Sequence, residues 1–212
     1  MTKKVYLVLK RSLDIFISLS ALITLSPLFV FISLFIFLED RKFPVIYSQK
    51  RVGKDRKLFT FYKFRSMVVN ADEILFSNPK LYKVMRTGVN KMIDDPRVTK
   101  IGKFIRKYSL DELPQFINIL KGDMSFVGPR AYRPDELQRY EKEKSNRVVY
   151  MNKILSIKPG LTGFWQVSGR SKIAFDQRIK MEAEYSQKNS ILLDFLIIIK
   201  TPFAVLKAEG AY

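Results

Sequence analysis

The adjacent carboxylates Asp111 and Glu112 are the residues best suited to chemistry. An aspartate beside a glutamate, just after Arg106 and Lys107, can serve as an anionic nucleophile and as an oxygen donor to magnesium. The same residues also have a purely structural reading. Ser109-Leu110-Asp111-Glu112 spells a capping box, with Ser109 as N-cap and Glu112 three positions on. Acidic residues there complement the helix dipole as well. The two readings partly exclude each other, because a Glu112 turned back onto the Ser109 amide cannot also hold a metal. Further cations stand ready for anions. Lys63 and Arg65 alternate onto one face of an expected strand, which suits phosphate recognition or a solvated basic face. Gly128-Pro129-Arg130 is a rigid turn presenting a guanidinium, a geometry suited to a bidentate phosphate clamp. Residues 159–166, with Gly169-Arg170, gather backbone amides, a hydroxyl and the sole tryptophan, Trp165. That loop can hold a nucleotide base or a sugar, or be a loop anchored by its aromatics.

Composition narrows the chemistry. The 212-residue chain has no histidine and no cysteine. An imidazole base, a Ser-His triad, a His-bound metal, disulfides, thiolate nucleophiles and cysteine zinc sites are all excluded. Lys and Arg total 38 against 20 Asp and Glu, a formal charge of +18. Such an excess calls for an anionic partner: nucleic acid, anionic lipid or a phosphorylated small molecule. Hydrophobic residues make up 47%, which places the chain among globular sequences and not disordered ones.

Several elements must position these groups. Two short strands, near 44–49 and 57–64 around a turn at Gly53-Lys54, carry Lys63. A short helix is expected over Asn70–Asn78. A loop or partly ordered excursion is expected over 79–97, where Pro79, Gly88, Asn90 and Pro96 fall. Ile101, Phe104, Ile105 and Tyr108 share a helical face, with Lys100, Lys103, Arg106 and Lys107 around the rest. That pattern fits a basic amphipathic helix in a membrane interface, or a surface helix packed on a core. The Asp-Glu pair would open a helix from Leu110 to Lys121, with Leu110, Leu113, Phe116, Ile117 and Leu120 as its apolar stripe and Gly122 as its stop. Residues 134–145 read as a solvated helix, 157–171 as a glycine-rich loop or short strand, and 173–185 as a helix. Residues 191–206 read as an apolar helix interrupted by Asp194, Lys200 and Pro202. The expected fold class is α+β, mainly helical, with interfacial amphipathic helices and a small β element.

Ile15 to Leu38 is a run of 24 uncharged, mostly apolar residues, long enough to cross a bilayer. Ser26-Pro27 interrupts it. Proline removes a backbone donor and bends the helix, and serine can bond the carbonyls so released. Lys3, Lys4, Lys10 and Arg11 precede the run, and Arg41, Lys42, Lys50, Arg51, Lys54, Arg56 and Lys57 follow it. The positive-inside tendency places both ends on the cytoplasmic side. A re-entrant helix bent at Ser26-Pro27 satisfies this better than a kinked span does. The expected division is a re-entrant membrane helix over 1–40 and an interfacial catalytic domain over 41–212.

Together these residues resemble the bacterial sugar transferases, the monotopic polyprenyl-phosphate hexose-1-phosphate transferases. The resemblance runs from Lys10-Arg11 to the terminus. Its most specific part is Ser109-Leu110-Asp111-Glu112-Leu113-Pro114-Gln115, continuing through residues 118–125 to Val127-Gly128-Pro129-Arg130. Residues 63–67, Asp95-Pro96-Arg97 and residues 159–163 match in order, and so does Ser26-Pro27, which in the family marks a re-entrant bend. The resemblance implies transfer of a sugar 1-phosphate from a UDP-sugar to undecaprenyl phosphate, with UMP released and Mg2+ as cofactor. It further implies Asp111 as nucleophile holding a covalent phosphosugar, Glu112 helping to place the metal, and Arg106 and Arg130 near the phosphates. Lys63 and Arg65 join the same basic pocket. It places the protein at the cytoplasmic face of the bacterial inner membrane, with no nucleic acid as partner, and it is compatible with a homodimer.

Residues 163–171 and the ending Gly210-Ala211-Tyr212 resemble the branch that transfers galactose or glucose 1-phosphate in exopolysaccharide or capsule assembly. Glu182 departs from the aspartate expected three residues before Tyr185, and Asn189 from the tryptophan expected before Ser190. The extra N-terminal transmembrane bundle of larger relatives is not among these residues, so the chain resembles the minimal catalytic unit. Two other functions fit parts of the pattern. A membrane-tethered basic binding module needs the charge and the interleaved aromatics but no Asp-Glu chemistry. A lipid-phosphate or nucleotide-sugar phosphohydrolase would use water where the transferase uses the lipid phosphate.

Overall fold

The computed structural model describes residues 2–87, 95–143, 145–169 and 173–206. It is mainly helical with two small sheets, an α+β arrangement. Helices α1 (Lys3–Thr24) and α2 (Ser26–Glu39) form a helix-break-helix pair bent by 62°. Pro27 lies in the first turn of α2, where its missing N–H costs nothing. Ser26 Oγ donates to the Ile23 carbonyl at 2.8 Å, and Thr24 Oγ1 to that of Ser20 at 2.8 Å. The hydroxyls thus bond carbonyls at the break, as the sequence suggests. No single helix among the described residues is long and apolar enough to cross a membrane; the bent pair taken together matches a membrane segment in length and composition only.

Strands β1 (Ile46–Val52) and β2 (Leu58–Phe64) form an antiparallel hairpin. The connection runs from Gly53 to Lys57, closed by the Gly53 amide donating to the Lys57 carbonyl at 2.8 Å, with Asp55 and Arg56 at positive φ. Arg56 holds that conformation through Glu141 at 2.6 Å and Asn152 at 2.9 Å. Helices α3 (Ala71–Ser77) and α4 (Pro79–Thr87) follow. The expected loop over 79–97 is therefore helical in its first half, because Pro79 is preset for a first helical position. Gly88 and Asn90 lie outside the described residues.

Helix α5 (Lys100–Lys107) buries Ile105 and leaves Phe104 exposed. The expected helix from Leu110 to Lys121 is broken. Leu110–Glu112 is one 3-10 turn, and α6 runs only over Gln115–Lys121, with Pro114 before it. The buried stripe is correspondingly Phe116 and Ile119, while Ile117 faces outward. Gly122 ends α6 at φ 85°, as its position implies.

Strand β3 (Ser125–Val127) pairs in parallel with β4 (Gly160–Thr162). Between them, α7 (Pro134–Glu143) and α8 (Ser145–Ile154) pack on the β1–β2 hairpin and on α10 (Phe175–Lys188). Helix α7 is not simply solvated, since Glu136, Leu137 and Tyr140 are buried. Residues 157–171, expected as loop or strand, also include a short helix, α9 (Phe164–Ser168). Helix α11 (Ile191–Leu206) is the last described element, with Asp194 and Ile197 turned inward.

Lys10, Arg11 and Asp14 project from one face of α1 into this body. Arg11 donates to the carbonyls of Ile119 and Leu120 at 2.6 and 2.8 Å, ending α6. Asp14 accepts from the Phe126 amide at 2.8 Å and the Ser125 hydroxyl at 3.0 Å. Lys10 and Tyr6 both donate to Asp194, at 2.7 and 3.0 Å. The first and last helices are thus joined through buried polar bonds.

Candidate active site

The left-handed Ser109 (φ 55°) turns the chain sharply out of α5. Its side chain makes no N-cap bond, so the capping box does not form. Glu112 turns instead toward β2, where it accepts from Lys63 Nζ at 2.6 Å. The same ammonium reaches Asp111 Oδ2 at 3.3 Å. A strained non-glycine conformation beside two carboxylates on a cavity wall is typical of functional sites.

Asp111 is buried, at 7% exposure. Burial pushes its carboxyl above the usual carboxylate range and Glu112 adds to this, while Lys63 and then Arg106 pull it back down. An ionised Asp111 therefore depends on the two cations beside it.

The cavity of about 630 Å³ beside the pair is also lined by Lys63, Arg65, Arg106 and Arg130. All six predicted site residues thus border one space, in different ways. Arg65 spends its guanidinium on the end of α2, donating to the carbonyls of Ile36 and Asp40 at 3.3 and 2.8 Å. Arg130 lies across the cavity, with Nη2 3.7 Å from Glu136. Ser26 and Pro27 stand apart, at the helix bend.

Sequence reading missed a second charged cluster on the wall that carries Arg130. Arg51 donates to the Ala131 carbonyl at 3.1 Å and approaches Glu136 at 3.9 Å. Burial, and then the nearby Arg130 charge, lower Arg51 to about 10. Two guanidiniums pressed together in this way favour an anion between them. Burial alone would raise Glu136, but Arg130, the Tyr140 hydroxyl and Arg51 hold it at about 2. Glu182 accepts from the Arg130 amide at 2.9 Å and from the Tyr132 hydroxyl. The departure noted at position 182 is thus a buried carboxylate fixing the backbone that presents Arg130. Asn189 bonds the Ser186 carbonyl at 2.7 Å. Gln115 is 2% exposed, lines the cavity and leaves its amide nitrogen without an acceptor among the described residues. Arg170 and Gly210-Ala211-Tyr212 lie outside the described residues.

Asp111 and Glu112 offer the hard oxygen donors that magnesium prefers. Among the described residues no group of three or more acidic side chains is placed to hold a metal. Two carboxylates fit the one or two that Mg2+ commonly takes from a protein, the rest of its shell coming from substrate phosphate and water.

The profile described as "Bacterial sugar transferase" matches residues 5–208. The chain belongs to this family. It is 49% identical over 170 residues to the galactosyl transferase CpsE of Streptococcus agalactiae, covering 79% of this chain and 36% of that relative. It is 45% identical over 172 residues to the undecaprenyl-phosphate galactose phosphotransferase of Salmonella typhimurium, covering 80% and 35%. To the exopolysaccharide production protein ExoY of Sinorhizobium fredii it is 41% identical over 207 residues, covering 96% and 88%. The matched region is thus about a third of the length of the first two relatives and most of the third. The match to this family of sugar transferases takes in both the Asp111-Glu112 turn and the arginine wall.

Proposed function

We propose that this chain transfers a hexose 1-phosphate, galactose or glucose, from a UDP-sugar to undecaprenyl phosphate, releasing UMP. The reaction would be the first membrane step of exopolysaccharide, capsule or glycoconjugate assembly. The observation that carries the reading is Asp111, buried on the cavity wall with Lys63 against it.

In the first step an Asp111 carboxylate oxygen attacks the β-phosphorus. The bond from that phosphorus to the bridging oxygen breaks, and UMP leaves with the electron pair. Asp111 then carries the sugar phosphate as an acyl phosphate. In the second step an oxygen of undecaprenyl phosphate attacks the same phosphorus, and the carboxylate is released as the lipid diphosphate forms. Lys63 keeps Asp111 ionised for attack and lets it depart as a carboxylate. Arg106, Arg130 and Arg51 offset the charge on the diphosphate and on departing UMP. Mg2+ held by Asp111 and Glu112 would neutralise charge on the phosphoryl oxygens.

The bent α1–α2 pair supports a re-entrant insertion from the cytoplasmic face of the bacterial inner membrane. Phe16, Ile23, Val30 and Phe31 are exposed along it, at 61–69%. Such a placement would bring the cavity to the surface where the lipid phosphate lies. The UDP-galactose-lipid carrier transferase of Erwinia amylovora, 43% identical over 170 residues, supports the substrate pair by its name.

Asp111→Asn should abolish both UMP release and lipid product while leaving membrane association intact. Intact-protein mass analysis of wild type during turnover with Mg2+ and UDP-galactose should show one hexose phosphate on the chain. Full UMP release by the variant, or kinetics requiring both substrates bound before any product leaves, would refute the two-step reaction.

A further inference from the structure

Arg178 has no role in the chemistry above, yet it is 4% exposed and lines the same cavity. Its guanidinium lies 4.6 Å from the Trp165 ring, 5.4 Å from Phe175 and 5.8 Å from Tyr132. Burial works against its charged form, and Tyr132 and then Glu182 favour it. Nevertheless Nε and Nη2, which form one edge of the guanidinium fork, have no acceptor among the described residues. Trp165 Nε1 has none either, and Trp165 lines the cavity too. Buried donors left unpaired are costly, and a side-on guanidinium edge is shaped for paired acceptor oxygens.

The surroundings say which part of a nucleotide sugar belongs here. Lys63 and Arg51 lie 5.7 and 5.2 Å from the Phe61 ring, so the carboxylate wall and the arginine wall meet at that ring. The carboxylate wall takes the phosphorus under attack. The other wall gathers Arg51, Arg130 and Arg178 with an indole, and the Glu136 carboxylate between the first two leaves it net positive. A neutral hexose gains little from three guanidiniums. A nucleoside monophosphate carries an anion that grows on leaving, and a planar base with acceptor carbonyls.

We propose that Arg178 and Trp165 seat the nucleotide half of the substrate, with the indole stacked on the base and the Nε–Nη2 edge bonded to nucleotide oxygens. This rests on the transferase reading. It adds that the nucleotide is read on α9 and α10 and that the sugar lies elsewhere.

The test is equilibrium binding of UMP, uridine, inorganic phosphate and galactose 1-phosphate to the full chain in detergent. Wild type is compared with Arg178→Lys and Trp165→Leu. Trp165 belongs to none of the buried hydrophobic clusters, so its variant should fold even if the arginine variant does not. Each variant should bind UMP roughly tenfold or more weakly. Each should raise KM for the UDP-sugar with little change in kcat or in KM for the lipid, and leave galactose 1-phosphate binding alone. Weaker uridine binding by Arg178→Lys would place its edge on the base. Loss confined to UMP and phosphate would place it on the α-phosphate. Either outcome supports the seat. UMP affinity unchanged in Trp165→Leu, or an equal loss for galactose 1-phosphate, overturns it. Wild type that turns over UDP-sugar while these variants match it also sinks the seat alone. Wild type that binds no UMP and releases none sinks the transferase reading beneath it.

Discussion

Replacing Lys63 with methionine removes an ammonium that contacts both carboxylates, at 2.6 Å from Glu112 and 3.3 Å from Asp111. Two unit charges 3.3 Å apart interact by about 5 kcal/mol at an effective dielectric of 20, and by about 1 kcal/mol in water. The Lys63 side chain is 24% exposed, so solvent screens the pair toward the lower figure. A loss of about 10- to 100-fold in kcat/KM at neutral pH is therefore expected, at about 1.4 kcal/mol per tenfold. The sign in pH follows from the direction of each effect. Burial raises the Asp111 carboxyl, and Lys63 is the first influence lowering it. Without Lys63 the carboxyl rises further, so the acidic limb of the rate profile moves to higher pH and the deficit shrinks as pH increases. The assay is UMP release across pH for wild type, Lys63→Met and Lys63→Arg, the last retaining much of the activity. Parallel profiles, with the same deficit at every pH, would show that Lys63 acts by binding substrate and that the ionisation argument is wrong.

Two further outcomes follow from the packing around the arginine wall. A Cβ on Gly160 would lie 2.1 Å from the Gly128 nitrogen and 2.5 Å from the Thr162 oxygen, so Gly160→Ala must both displace the chain leaving β3 and distort β4 itself. It should cost about 1–3 kcal/mol and lower the melting temperature by about 2–12 °C, measured by thermal scanning. Glu136 sits at about 2, below the ordinary glutamate value of 4.5. Its stabilising contribution is complete above that ordinary value and is lost as pH falls from there to about 2. Wild type should lose more thermal stability than Glu136→Gln across that interval, and identical slopes would count against the ion-pair account.

Much of the chain is legible where local pattern and tertiary demand agree. The β1–β2 hairpin, the break at Ser26-Pro27, the Gly122 stop and the helices over 71–77 and 175–188 follow from turn chemistry and periodicity. The errors arise where a distant partner decides. Ser109 and Glu112 satisfy every local rule for a capping box, yet Lys63, 49 positions away, takes the glutamate. Lys10 and Arg11 look like flanking charges of a membrane segment. They are instead anchored to Asp194 and to the end of α6, an arrangement that becomes readable only once Asp14 is seen on the same helical face. Arg51, Arg178 and Glu136 carry no local signal, since a lone charge in a basic hairpin or a charged helix reads as solvated. Their significance comes from helices that meet only in the folded chain.

The placement of Lys63 and Arg65 two residues apart ties two parts of the molecule together. Alternation along an extended chain points both side chains to the same side. Lys63 contacts the Asp-Glu pair, and Arg65 holds the carbonyls of Ile36 and Asp40 where α2 ends. Phe64, between them, points the other way and packs with Ile32, Ile36 and Ile105, joining α2 to α5 just before the Ser109 turn. One short stretch of β2 therefore fixes the exit of the bent helix pair and the position of the carboxylates against each other. In the proposed reaction a nucleophile that meets a soluble nucleotide sugar and then a phosphate held at a membrane surface would need its depth below that surface set. The Lys63–Arg65 spacing would set it through a few hydrogen bonds and one buried phenyl ring.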